Sequence, residues 1–330
     1  VTQFTTRGIF LSLALIASAA AAADDAPSGS ARQSLADAWW TGPLLAPNAS
    51  SFPAGHALLE PYVFDVNNNG QYDANGRHQP AAGGHELGSL TYLIYALTDR
   101  VSVGLLPRFF YDEPAGAPNS SSPGVGDVGA QVQVGLTSFH EGSWVPATAV
   151  VLAETFPTGR YERLANPADG FGAGVYTTAF SWYSQDYLWL PNGRILRVRL
   201  DLTYAVSSSA SVADQSAYGT PRGFRGRAYP GDSFTADAAA EYSVTRNWVL
   251  ATDLVWVHNS STRLTGAEPA AGGSPFVDTQ SGSSEYLAVA PAVEYNFSPR
   301  VGVIVGARIF VAGRNTGSSV TTAAAINLVF

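Results

Sequence analysis

The chain has 330 residues, a net charge of −8 and only 13% charged side chains, about half the share of an ordinary soluble domain. The acidic balance excludes the basic footprint that nucleic-acid binding needs, and the absence of cysteine excludes disulfides, thiol nucleophiles and thiolate metal sites. Glycine and aromatic residues are plentiful and mean hydropathy is near zero, the average expected of strands with one oily and one wet face.

Arg7 precedes an apolar run, Gly8 to Ala22, and Ala21-Ala22-Ala23 offers small residues for cleavage ahead of Asp24-Asp25. This pattern predicts a secretory signal peptide over 1–23. Beyond it no run reaches the roughly 18 apolar residues of a membrane helix; the nearest, Gly142 to Ala153, contains Pro146. A membrane location then requires a closed strand barrel, because lipid satisfies no open sheet edge.

Residues 24–54 do not read as strand: Ala31 to Ala38 suits a short helix, and Pro43, Pro47 and Pro53 keep the remainder irregular. Two expectations stand for this stretch. One is a periplasmic lead-in with Trp39 and Trp40 at the membrane surface, the simpler of the two. The other is a plug folded into a barrel.

From Gly55 on, twelve strands are expected, near 55–66, 86–97, 101–112, 124–138, 144–156, 170–183, 194–207, 231–244, 248–258, 284–297, 300–312 and 318–330. Most match or exceed the 9–11 tilted residues that cross a bilayer. Tight connections at 98–100, 140–143, 245–247 and 297–299 alternate with long polar ones at 67–85, 113–123, 157–169, 208–230 and 259–283. That alternation is the signature of an up-and-down transmembrane β-barrel, with turns in the periplasm and loops outside. An even strand count puts both termini on the periplasmic side of a Gram-negative outer membrane. The gap 185–193 is long for a turn, and 312–317 is short for an outer loop.

The last strand shows the two faces most clearly. Val320, Thr322, Ala324, Ile326, Leu328 and Phe330 share one side, while Thr321, Ala323, Ala325, Asn327 and Val329 share the other. Phe330 is expected to close the barrel and to be read by the insertion machinery. Aromatic residues near strand ends (Trp144, Trp182, Tyr242, Trp248, Tyr295, Phe297) suit interfacial girdles. With the polar parity of each strand turned inward, the bore carries Glu60, Glu154, Asp201, Asp237, Glu241, Asp253 and Glu294, opposed by Arg108, Arg197, Arg199 and Arg308. Such charges either brace the barrel as ion pairs or bias a permeation path.

Other motifs are thinner. Asp65, Asn67, Asn69 and Gly70 resemble the start of a calcium loop with Asp73 at the ninth position, but Gly76 stands where a bidentate Glu is needed. An Asn/Gly-rich outer loop is the simpler reading, so no metal and no cofactor are expected. The five histidines sit at strand ends and in loops, which argues against a Ser–His pair and an enzyme.

Trp39-Trp40-Thr41-Gly42-Pro43-Leu44-Leu45-Ala46-Pro47, with Pro53-x-Gly55-His56-x-Leu58-Leu59-Glu60-Pro61-Tyr62, is similar to the opening of the MetA-pathway of phenol degradation family, and Pro157-Thr158-Gly159-x-Tyr161 resembles a further block of it. The resemblance implies an outer-membrane transporter for aromatic or other small apolar molecules, with membrane lipid as its surroundings and no catalytic residue. A general-diffusion porin is the alternative, and an outer-membrane hydrolase the more distant one.

Overall fold

A computed structural model describes residues 32–81, 83–270, 273 and 275–330; the expected signal peptide lies outside the described residues. Twelve antiparallel strands form one closed barrel. In chain order they are Ala57–Tyr72, His85–Ala96, a third in two pieces (Val101–Leu106 and Arg108–Glu113), Val128–Thr137, Ala147–Phe156, Thr177–Trp189, Ile195–Ser207, Ser233–Ser243, Trp248–Asn259, Ser284–Ser298, Val301–Arg314 and Thr316–Val329. Pro107 splits the third strand because it has no N–H to give the ladder, although its carbonyl still accepts from Thr91 at 3.1 Å.

The first strand closes the barrel. It pairs with the second from Ala57↔Tyr95 to Asn67↔His85, and with the twelfth from Leu58↔Val329 to Tyr72↔Thr316. The seam is finished by Phe330 N–H on Ala57 O (2.9 Å) and Ala57 N–H on Phe330 O (3.2 Å). The seam is thus paired along most of its length, interrupted at Glu60-Pro61 and by a bulge between Asn68 and Gly70, and supplies partners that hydrocarbon would not.

Large side chains on one parity of each strand face outward and stay open: Val63, Leu152, Phe180, Val305 and Phe330 are all at least half exposed. Aromatic contacts gather at both rims. Trp248, Tyr295 and Phe297 meet at the end with the short turns, and Phe156–Tyr176 and Phe234–Trp256 at the end with the long loops.

Three elements differ from expectation. The sixth strand is Thr177–Trp189 rather than 170–183, so the awkward gap becomes an ordinary turn at 190–194. Gly170, Gly172 and Gly174, alternating with Phe171, Ala173 and Val175, imitate strand alternation, yet Gly172 packs backbone-to-backbone on Gly159 in a loop. The first strand continues through Asn67–Tyr72, inside the connection expected at 67–85, paired with Thr316–Val320. The long connections also carry a separate four-stranded sheet, Ala210–Ala213, Arg225–Tyr229, Arg263–Ala267 and Phe276–Gln280, around Val212, Phe224 and Ala228.

Candidate functional site

Directly paired residues on neighbouring strands share a face, so the buried parity marks the bore. On the seventh strand Arg197, Arg199 and Asp201 are buried while Leu200 and Tyr204 are exposed. The register carries that face around the wall: Arg197↔Glu241, Asp201↔Asp237, Ala239↔Asp253 and Val249↔Glu294. These seven charges form one belt on the seventh to tenth strands.

Glu241 is its centre. It accepts from Arg197 Nε at 2.6 Å and from Arg197 Nη2, and lies 3.1 Å from Arg199 Nε without hydrogen-bond geometry. Asp201 and Asp237 sit side by side, and both Asp201 carboxylate oxygens and one of Asp237 lack a hydrogen-bond partner. Glu60 faces the bore from the first strand and accepts from Asn327 Nδ2 at 3.1 Å.

Glu154 does not join them. It pairs with Ala130 and Thr178, shares a face with exposed Leu152 and Phe156, and accepts from Thr178 Oγ1 at 2.6 Å on the outside of the barrel. In the fifth strand the inner residues are Ala147, Ala149, Val151 and Ala153, small and apolar, so polarity does not identify the inward side there. The calcium-like residues do not assemble either. Asp65 lies 3.0 Å from His85 Nδ1, Asp73 accepts from the N–H groups of Asn75 and Arg77, and no group of three or more His, Asp or Glu among the described residues could hold a metal ion.

The belt's partner is the segment before the first strand. Gln33 meets Ser243, Ile195 N–H and Trp189 Nε1 at the turn end. Thr41 N–H then donates to Glu294 (2.7 Å), and Leu44, Leu45 and Ala46 N–H all donate to Asp253 (3.1, 3.3 and 2.9 Å). Arg199 Nη1 donates to Ala46 O at 2.7 Å, and Gln133 Nε2 to Asn48 O at 3.0 Å. Ala54 N–H returns to Asp99 in a short turn. Trp40 lies under Arg197, 4.6 Å from Cζ to ring centroid, and edge-on to Tyr187 rather than at a membrane surface. Asp37, outside the wall, is held below the ordinary carboxylate range by hydrogen bonds from Ser34 and Arg246. Nothing in residue spacing announces these contacts, because the segment is gripped by its main chain.

The opposite side of the bore is aromatic. Tyr62, Phe64, Tyr92 and Phe110, floored by Leu44 and Leu45, line a cavity of ≈ 380 Å³. A second void of ≈ 560 Å³ towards the long loops shares Glu86, Arg108 and Phe110 with it and is walled by Phe171 and Tyr218. Phe171 stacks on Phe110 (6.1 Å), and Phe110 meets Phe64 edge-on (6.2 Å), so three rings lead from one void to the next. Glycines make the room: a Cβ on Gly88 would fall 2.2 Å from the Phe64 ring, and one on Gly124 would fall 2.4 Å from Phe171. The rule that polar parity faces inward places Glu60 and Arg108 correctly on the first and third strands but gives no sign of the rings that share their inner side. For the same reason Glu86 escapes a reading by polarity: it shares the inward parity with Leu90 and Tyr92.

The family model described as "Putative MetA-pathway of phenol degradation" matches residues 48–326. The crystal structure of the COG4313 outer membrane channel from Pseudomonas putida F1 superposes with a TM-score of 0.65 at 16% identity, covering 86% of this chain and 98% of that one. The P. putida toluene transporter TodX gives a TM-score of 0.37 at 11% identity, covering 89% and 95%. The beta domain of the Bordetella autotransporter BrkA gives 0.41 at 10%, covering 84% and 100%. No curated protein matches in sequence.

Proposed function

We infer the function from one premise: this chain belongs to the MetA-pathway of phenol degradation family. The function is passive passage of small aromatic molecules across a Gram-negative outer membrane. The short turns face the periplasm and the long loops face outside. The observation that carries this reading is the ring path Phe171–Phe110–Phe64 running into the aromatic cavity. Aromatic faces bind aromatic solutes in offset or edge geometry and give polar solutes nothing comparable.

Residues 39–51 act as a plug. Their main-chain bonds to Glu294, Asp253 and Arg199 of the belt, and to Gln133 of the fourth strand, hold the segment inside the bore, which argues against a general-diffusion pore with a wide wet lumen. The belt charges serve mainly to hold this segment. The named structure of a toluene transporter suggests a probe for the test. Uptake of labelled toluene is measured in cells expressing the chain, beside uptake of a sugar of similar size. Toluene uptake above the level of cells lacking the chain, reduced several-fold by Phe64→Ala with Phe110→Ala, supports the reading. Equal uptake with and without the chain sinks it.

A further inference from the structure

Four arginines face the bore, and they divide into two kinds. Arg197 and Arg199 share Glu241. Arg108 and Arg308 have no carboxylate within ion-pair distance among the described residues, and the Nε of each is buried without a hydrogen-bond partner. Arg308 reaches only Thr321 Oγ1, at 3.4 Å, and lies 5.3 Å from the Phe310 ring centroid. Both arginines line the aromatic cavity, with Glu86 as the one acid beside them. The lining therefore carries two formal positive charges against one negative. Asp127 belongs to the outer void, where it accepts from Gly159 and Ala173 N–H at 2.9 and 2.7 Å, and does not line the aromatic cavity.

An unpaired guanidinium in a low-dielectric wall is costly, and its planar fork matches a planar carboxylate bidentately. A pure hydrocarbon would leave both forks unanswered. The cavity of ≈ 380 Å³ exceeds the roughly 150 Å³ that suffices for benzene, leaving room for one ring, a substituent and a few waters.

Resting on the channel reading above, we propose that the cavity is a binding site for a monocyclic aromatic acid, its ring held among Tyr62, Phe64, Tyr92 and Phe110 and its carboxylate received by Arg108 and Arg308. Arg108 borders both voids, so it meets the anion first, at the junction. Arg308, across the cavity on the eleventh strand, offers the second fork.

The test is calorimetric titration of the full chain in lipid nanodiscs with benzoate and with benzyl alcohol, which has the same ring and no charge. A charge-assisted hydrogen bond contributes about 1.5–3 kcal/mol, so Arg108→Gln and Arg308→Gln should each weaken benzoate roughly 10- to 100-fold and leave benzyl alcohol within about twofold. Arg108→Lys keeps the charge without the fork and should recover part of the loss. Heat-modifiable migration on gels selects folded variants, and Arg308→Lys stands in wherever a Gln variant fails to fold. Benzyl alcohol binding as tightly as benzoate, or benzoate unmoved by both Gln variants, overturns the assignment while leaving the aromatic channel standing. Loss of toluene uptake specificity in the cell assay is a separate failure and strikes the channel reading itself.

Discussion

Asp253 offers the sharpest perturbation of the plug. Its carboxylate receives three successive main-chain N–H groups, from Leu44, Leu45 and Ala46 at 3.1, 3.3 and 2.9 Å. Asp253→Ala removes all three bonds at once, by deleting both acceptor oxygens, while leaving the strand's own ladder intact. The Leu45 contact is the longest and is set aside. Two remaining bonds to a charged acceptor, each at the low end of about 1.5–3 kcal/mol, give about 3 kcal/mol of lost docking energy. Since about 1.4 kcal/mol is a factor of ten, the released population should rise on the order of 100-fold. Water entering the vacated space trims that figure, and Asp253→Asn, which keeps one acceptor oxygen, should fall between the two. The assay is single-channel recording in planar bilayers, read as the frequency of large-conductance events, on protein that passes the gel test for a folded barrel. If folded Asp253→Ala opens no more often than the unaltered chain, the plug is not held by this belt and the reasoning fails.

Deleting Asn327–Phe330 should leave the exported chain uninserted, since it removes the pairings Leu58↔Val329 and Leu59↔Leu328 and the closing bonds at Ala57; the amount of folded protein in outer-membrane fractions reads this out. Glu241→Gln leaves Arg197 and Arg199 without their shared anion and should cost about 3–5 kcal/mol, measurable as a lower urea midpoint in lipid; an unchanged midpoint would show the triad to be dispensable. Gly88→Ala should push the Phe64 ring into the cavity and slow toluene uptake without altering barrel yield. Epitope tags within 113–123, 208–230 and 259–283 should label on intact cells and tags at 98–100 or 245–247 should not; the reverse pattern would invert the barrel in the membrane.

The barrel was legible from sequence because its two solvents impose a period of two on every strand, and turn chemistry then brackets each strand within a few residues. The exceptions share a cause. Glu154 was misplaced because the inner side of its strand is alanine and valine, so contrast between faces vanished. Residues 170–176 mimic a strand by alternating glycine with larger side chains, although those glycines serve loop packing. The outer sheet joins four short strands from two distant connections, a pairing no local pattern encodes. Glu86, and the aromatic site around it, lay hidden because polarity is the guide to the bore, and Glu86 shares its face with Leu90 and Tyr92 rather than with polar residues.

The plug shows why side-chain pattern could not reveal it, and also what it leaves open. Its hydrogen bonds run from its own main chain to wall side chains, with Thr41 on Glu294 and Leu44 to Ala46 on Asp253 and Arg199. Such a grip is set by the wall and is nearly indifferent to which residues the plug carries. The anchors to charged side chains lie on the seventh, ninth and tenth strands, and Gln133 on the fourth strand holds Asn48 O beyond them. The aromatic cavity opens against the first three strands and the last two, with only the side chains of Leu44 and Leu45 turned to it as a floor. Polar bonds thus hold the segment to the wall while the side chains of Leu44 and Leu45 complete the site. A solute seated in the cavity touches the plug through two leucines and none of its anchors. Its descent needs those two side chains to yield before any of the anchoring bonds, which is why filling the floor (Leu45→Trp) should block aromatic uptake while leaving the frequency of large-conductance openings unchanged.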